Sequence, residues 1–318
     1  MTDHEHQKVA CGLGVVSFSY MMVWKPEDTL EFLEHCHGLG AAGIQSPITV
    51  DPKSLRARAE ELGMYVEAVV PMPWHDDTSE FEHALRDAKE AGAVGLRSAC
   101  LDTRRYETFQ TLETWRQHVE DSIAAIERAL PLLDQYKIPL GLENHKDWTA
   151  KELTGLMARY ATPYFGVCLD LGNNISLLDD PMTAIEQLAP YTVNTHIKDM
   201  CVETDDDGFR LAEVPLGTGF LDLERAISLI RSARPEAQFS LEMITRDPLR
   251  IPCLRDEYWA TFPDRNGLHL ARTLRFVQEN KSSHPLPRVS HLPYEEQRRR
   301  EDENVMACLS YAHENWGI

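Results

Sequence analysis

Eight short β-type runs, each followed by an amphipathic helical run, recur along most of this 318-residue chain, and that alternation leaves few folds open to it. The β-type runs are "GLGVVSFS", "AGIQ", "YVEAVV", "VGLRSA", "IPLGLE", "YFGVCLD", "YTVNTHI" and "QFSLEMI". The helical runs begin with "PEDTLEFLEHCHGLG", opened by Pro26 and acidic residues, and "DPKSLRARAEELG", closed by Gly63. In the second, Leu55, Ala59 and Leu62 share one face. "SEFEHALRDAKEAG", a long run around 112–136, "ELTGLMARY", "MTAIEQLA", "LERAISLIRSA" and a closing run near 267–279 complete the series. Eight β-α units in one chain of this length predict a (β/α)8 TIM barrel. A doubly wound sheet is the alternative, but its phosphate fingerprint is missing: the "GLG" at 12–14 precedes a strand instead of opening a helix. The barrel domain is assigned to residues 1–280. Residues 281–318 are expected to be an extended linker, "KSSHPLPRVSHLP", and a charged helical arm. The arm's apolar face at Val305, Leu309 and Ala312 needs cover, either from the barrel's own outer helices or from a neighbour, and the linker's reach favours a subunit contact and a homo-oligomer. Two stretches, 201–220 and 245–266, read as long loops on the catalytic face.

The last four β-type runs finish alike, at Glu143, Asp170, His196 and Glu242. In a barrel these ends are neighbours around one mouth, where barrel active sites lie. A lone strand-end Glu is usually a surface residue, and a lone His is more often a hydrogen-bonded core residue. Four such residues on four consecutive strand ends point instead to one divalent cation, which relieves the repulsion among three converging carboxylates. Three oxygens and one nitrogen suit Mn2+ first, then Mg2+ or Co2+, with Zn2+ also compatible.

"GLENH", "CLDLGN", "HIKD", "LEM" and the following loop "VPLGTGFLDL" carry a definite resemblance. Over residues 10–280 the chain resembles the xylose isomerase-like TIM barrel superfamily, in its sugar phosphate isomerase/epimerase branch. The resemblance implies that Glu143, Asp170, His196 and Glu242 hold one divalent metal. It further implies that Glu143 and Glu242 face each other across the substrate and exchange its protons, with Asp170 and His196 as pure ligands. The chemistry agrees: a metal on a carbonyl and its neighbouring hydroxyl stabilises the enediolate formed when the α-proton leaves. A carboxylate within hydrogen-bond reach must take that proton, and each glutamate is expected to keep one oxygen free for it.

Around the quartet, His145, Trp148, Lys198, Arg97, Trp74, His75 and Arg246 are the expected substrate-binding residues. Lys198 would meet a substrate oxygen or pair with Asp199, and Arg246 would meet an anion or pair with Asp247 or Asp199. The expected activity is a metal-dependent isomerase or epimerase of a keto-sugar or related polyhydroxy carbonyl compound. A lyase or dehydratase on a keto-sugar, keto-glycoside or cyclic polyol would use the same site, and the long loops would suit its larger substrate. A sugar-binding barrel without turnover is the non-enzyme alternative. The superfamily's trinuclear zinc nucleases are disfavoured, because "DLGN" places Asn173 where such enzymes carry a histidine.

Composition narrows the partners. With 51 acidic against 32 basic residues the formal charge is −19, which disfavours nucleic acid and acidic membranes but not a small anion met by a local arginine. Seven scattered cysteines without C-x-x-C spacing, and a start that lacks a signal-peptide layout, predict a reducing, cytoplasmic setting.

Overall fold

The computed structural model describes residues 12–318. Seven parallel strands come first: β1 (Gly14–Val16), β2 (Gly43–Ser46), β3 (Tyr65–Val69), β4 (Gly95–Ser98), β5 (Leu140–Glu143), β6 (Phe165–Asp170) and β7 (Thr192–Ile197). The chain then leaves the barrel for a hairpin, β8 (Asp199–Asp205) and β9 (Gly208–Val214). It returns as β10 (Gln238–Leu241), which pairs in parallel with both β7 and β1 and closes the eight-stranded barrel.

The helices form where the capping chemistry allows. The first, α1 (Phe18–Val23), is a short turn at the mouth. α2 (Thr29–Leu39) is capped by Asp28 and ends on left-handed Gly40, and α3 (Pro52–Leu62) is capped by Asp51 and ends on Gly63. α4 (Ser79–Glu90), α5 (Arg105–Thr108) and the 25-residue α6 (Leu112–Tyr136) follow. α7 (Ala150–Tyr160) opens with a reciprocal Thr149–Glu152 capping box. Next come α8 (Pro181–Leu188), α9 (Leu223–Ala233), α10 (Gly267–Asn280) and α11 (Tyr294–Trp316). Among the described residues, no helix is long and apolar enough to cross a membrane.

Inside the barrel, polar side chains are matched across the axis. The Tyr65 hydroxyl donates to the Phe239 carbonyl at 2.6 Å, and a Cβ on Gly43 would lie 2.5 Å from the Tyr65 ring. Asn194 donates to the Leu96 carbonyl at 3.2 Å, and a Cβ on Gly141 would lie 2.2 Å from its Oδ1. Glycine at those two strand positions is therefore a packing requirement.

Two expectations change. Residues 201–220 are not a loop: most of them form the β8–β9 hairpin, and β11 (Leu249–Ile251), from the second supposed loop, adds a third antiparallel strand. The two-residue turn is Asp206-Asp207, and Gly208 pairs with Asp205 to open β9; a short acidic, glycine-bearing step between alternating segments is a hairpin signal. α10 rests on this hairpin, at β8 and β9. The arm's apolar face is not left for a neighbour either. α11 packs against α1 and α2 of its own chain, burying Val305, Cys308 and Ala312. The linker is held as well, since Asp247 accepts the backbone N–H groups of Val289 and Ser290 at 2.6 and 2.9 Å.

Candidate active site

Strand register brings the quartet to one level. Asp170 lies beside His196 across the β6–β7 pair, and the Glu242 N–H donates to the Ile197 carbonyl just past β10. Asn144 pins Asp170 from behind, donating to its carbonyl at 2.8 Å and accepting its N–H at 2.7 Å. Ligand-type atoms of Glu143, Asp170, His196 and Glu242 all lie within 4.8 Å of one another, and all four residues are buried.

His196 shows what the cluster is shaped for. Its ring stands 2.6 Å through Nε2 from Gln45 Oε1, while the Gln45 amide donates to Glu67 at 3.1 Å. Because that amide oxygen can only accept, Nε2 carries the hydrogen and Nδ1 turns a lone pair inward. Among the described residues Nδ1 has no hydrogen-bond partner. It lies 3.5 Å from Glu143 Oε1, 3.8 Å from Asp170 Oδ2 and 3.4 Å from Glu242 Oε1. Burial opposes a charge on the ring, yet Cys168, Glu143 and Glu242 hold its pKa well above the ordinary value. A divalent cation at the common point would take the place of that proton. One imidazole nitrogen and three carboxylate oxygens, dry and convergent, fit such an ion.

The outer oxygens of the two glutamates are not free. Arg97 Nε donates to Glu143 Oε2 at 2.7 Å, and its Nη2 bonds the same oxygen. Lys198 Nζ ion-pairs with Glu242 Oε2 and lies 2.6 Å from Asp170 Oδ2. Against their burial, Arg97 and His196 hold the Glu143 carboxyl well below its ordinary value, and Lys198 and His196 do the same for Glu242. The expectation of a spare basic oxygen on each glutamate is therefore corrected: a cation occupies both.

A cavity of about 320 Å³ opens onto this cluster, with Arg97, His145, Lys146, His196, Glu242 and Arg246 in its wall. A larger hollow of about 730 Å³ between α7, α8 and α10 contains none of the quartet.

A family model for the xylose isomerase-like TIM barrel matches residues 31–261. The chain belongs to that family. Among curated relatives of this xylose isomerase-like barrel is the 3-oxo-isoapionate decarboxylase of Pectobacterium atrosepticum, 28% identical over 192 residues, which are 60% of this chain and 65% of that protein. The chain thus spans just under two thirds of that relative's length. The solved probable 3-DHS dehydratase of Bacillus anthracis matches with a TM-score of 0.56 at 14% identity, covering 80% of this chain and 100% of that one. A xylose isomerase-like TIM barrel protein from Mycobacterium smegmatis in complex with magnesium matches with a TM-score of 0.51 at 19% identity, covering 76% and 88%.

Within this xylose isomerase-like barrel, the flanking residues divide. Arg97, His145 and Arg246 line the cavity. His145 Nδ1 is 2.8 Å from the Leu101 carbonyl, so it carries the hydrogen and Nε2 is left as an acceptor; burial lowers the ring's pKa. Arg246 grips neither Asp247 nor Asp199 but Glu213 of β9, at 2.7 and 3.3 Å. Lys198 pairs with Asp170 and Glu242, not Asp199, whose carboxylate accepts the N–H groups of Gly217, Gly219 and Leu221. Four expected contacts fall outside the cavity wall, Lys198 among them. Trp148 is buried against Trp115, Trp74 is exposed and lies over His118, and His75 is exposed beside it. Residues not anticipated are Gln45, Asn173 and Lys146. Gln45 is legible by the strand-end rule applied to "AGIQ", and Lys146 sits in the polar run after Glu143.

Proposed function

We propose that this protein is a metal-dependent lyase that releases CO2 from a 3-oxo sugar acid, a polyhydroxy β-keto acid. The observation that carries the reading is the occupation of both glutamate outer oxygens by Arg97 and Lys198. An isomerase that used the two glutamates as its bases would need a free oxygen on each, whereas breaking the bond to a β-carboxylate needs no carboxylate base. A divalent ion in the quartet, Mn2+ or Mg2+ from its oxygen-rich donors, supplies Lewis-acid polarisation of the substrate carbonyl. Arg97 and Lys198 keep Glu143 and Glu242 ionised, and Lys198 also holds Asp170 in place. Heterolysis of the C–C bond leaves its electron pair on the substrate as an enediolate, whose charge faces Arg246 and Lys146 in the cavity wall. The decarboxylase relative supports the same bond-breaking step.

The test is to incubate Mn2+- or Mg2+-loaded protein with a panel of 3-oxo aldonates labelled with ¹³C in the carboxylate, and to follow labelled CO2 by NMR. Release of label from one member is the expected result. Absence of release across the panel overturns the reading.

One observation keeps isomerisation or epimerisation as the second reading. His145 Nε2 has no partner among the described residues and lines the cavity, so an imidazole base is present where a carboxylate base is not. Mass spectrometry separates the two, because isomerisation conserves substrate mass and decarboxylation does not.

A further inference from the structure

An enediolate left by bond cleavage must be protonated at carbon, and few groups in this cavity can give a proton. Arg97 and Arg246 are guanidinium groups that keep their protons and are engaged by Glu143 and Glu213. Lys198 lies outside the cavity wall, held between Asp170 and Glu242, and against its burial those two charges raise its pKa. His145 offers an acceptor nitrogen. Lys146 differs from all of them. It is 4% exposed, its Nζ donates to Asn173 Oδ1, and among the described residues no carboxylate lies within ion-pair distance of it. Its backbone is held at φ +56°, a left-handed conformation that lysine adopts rarely, and its carbonyl is fixed by the Arg105 N–H at 3.1 Å. Asn173 also donates to Glu143 Oε1 at 3.2 Å, so the ammonium stands two hydrogen bonds from the quartet and shares a cavity wall with His196 and Glu242.

We propose that Lys146 is the catalytic acid of the site, delivering a proton from its ammonium to the enediolate carbon. The role rests on the enediolate chemistry proposed above. As the N–H bond breaks, a C–H bond forms at the carbon that lost CO2, the C=C pair becomes that bond, and the oxyanion returns to a carbonyl. The neutral amine then takes a proton from water. The groups facing Lys146 suit this. Burial, then Lys198 at the end of β7 and Arg246 after β10, outweigh Asp170 of β6 and Glu213 of β9 and bring its pKa down to about 8. That is near the value at which an acid both holds and releases a proton at neutral pH.

The reverse of the final step needs no knowledge of the natural substrate. Mg2+-loaded protein is incubated in D2O with dihydroxyacetone or D-ribulose, and exchange of hydroxymethyl hydrogens is followed by NMR. Wild type is expected to exchange one hydrogen of a hydroxymethyl group stereospecifically, with a rate that rises with pH and levels near pH 8. Lys146→Gln and Lys146→Met should lose about a hundredfold or more of that rate with metal content unchanged by atomic emission. Lys146→Arg should lose it equally, since arginine keeps the charge but cannot shuttle the proton. Exchange within threefold of wild type in Lys146→Gln, rescue by Lys146→Arg, or no exchange of either probe by wild type overturns the role. Exchange without CO2 release from any oxo acid would defeat the decarboxylase reading and leave this one standing.

Discussion

Gln45 touches no ligand point itself, yet it decides which nitrogen of His196 faces the carboxylates. Replacing it with leucine frees the ring to rotate or change tautomer, and metal affinity should fall about 10- to 100-fold, as for other partners that orient a ligand from behind. Competition calorimetry measures this, and an unchanged affinity would mean that the ring is oriented some other way. His196→Ala should weaken binding further, because it removes the nitrogen donor outright. At this scale the quartet was readable beforehand, because strand ends converge by topology alone. Lys146 was not, because its importance depends on a left-handed backbone and on the lack of a nearby carboxylate, neither of which shows in a string of letters. Trp148 and Trp74 were misread for the converse reason: an aromatic near a strand end can turn away from the mouth to pack on a helix.

Elements carry charge into the site as well as backbone. The hairpin brings Glu213 to Arg246, and both side chains are largely buried there. Glu213→Ala leaves a guanidinium without its partner and should cost about 3 kcal/mol in chemical denaturation. A loss below 1 kcal/mol would show that Arg246 finds another anion. The strands of that hairpin were missed because length and acidity at "TDDDG" suggested a loop, although the alternation on either side was present.

The helix α11 carries a second buried acid, Glu301, whose carboxylate accepts the Thr245 N–H at 2.7 Å three residues past Glu242. Burial pushes its pKa up to about 7. The unfolded chain, with an ordinary carboxyl, loses this proton first as pH rises. Stability therefore falls between roughly pH 4.5 and 7 and stays low above, by about 3 kcal/mol. Glu301→Gln keeps the acceptor and has no proton to lose, so its melting temperature should change less than that of wild type between pH 5 and 8. Parallel pH profiles for the two would remove the assignment.

On the whole-molecule scale the barrel was legible because eight alternations admit little else, while the fate of the arm was not. An apolar face at Val305, Leu309 and Ala312 states that something covers it, and only the folded chain shows that α1 and α2 do, burying Val305, Cys308 and Ala312 and leaving Leu309 half-buried. Ending the chain after Asn280 should therefore lower the melting temperature by roughly 10 °C or more, from several kcal/mol of lost burial. It should also weaken metal binding by loosening residues 242–245. A shortened protein that melts like the full chain but has half its mass in light scattering would restore the subunit-contact reading.

The first and last helices meet at the mouth: the Tyr20 hydroxyl donates to Asp302 at 2.8 Å across 282 residues of sequence. In sequence the two partners of that bond bracket all four metal-type ligands. During synthesis the amino-terminal half emerges first and can begin to collapse, at roughly 5–20 residues per second. The clasp cannot close until α11 has cleared the ribosome. Until then the Tyr20 hydroxyl lacks its acceptor and the short α1 turn lacks the helix that covers it.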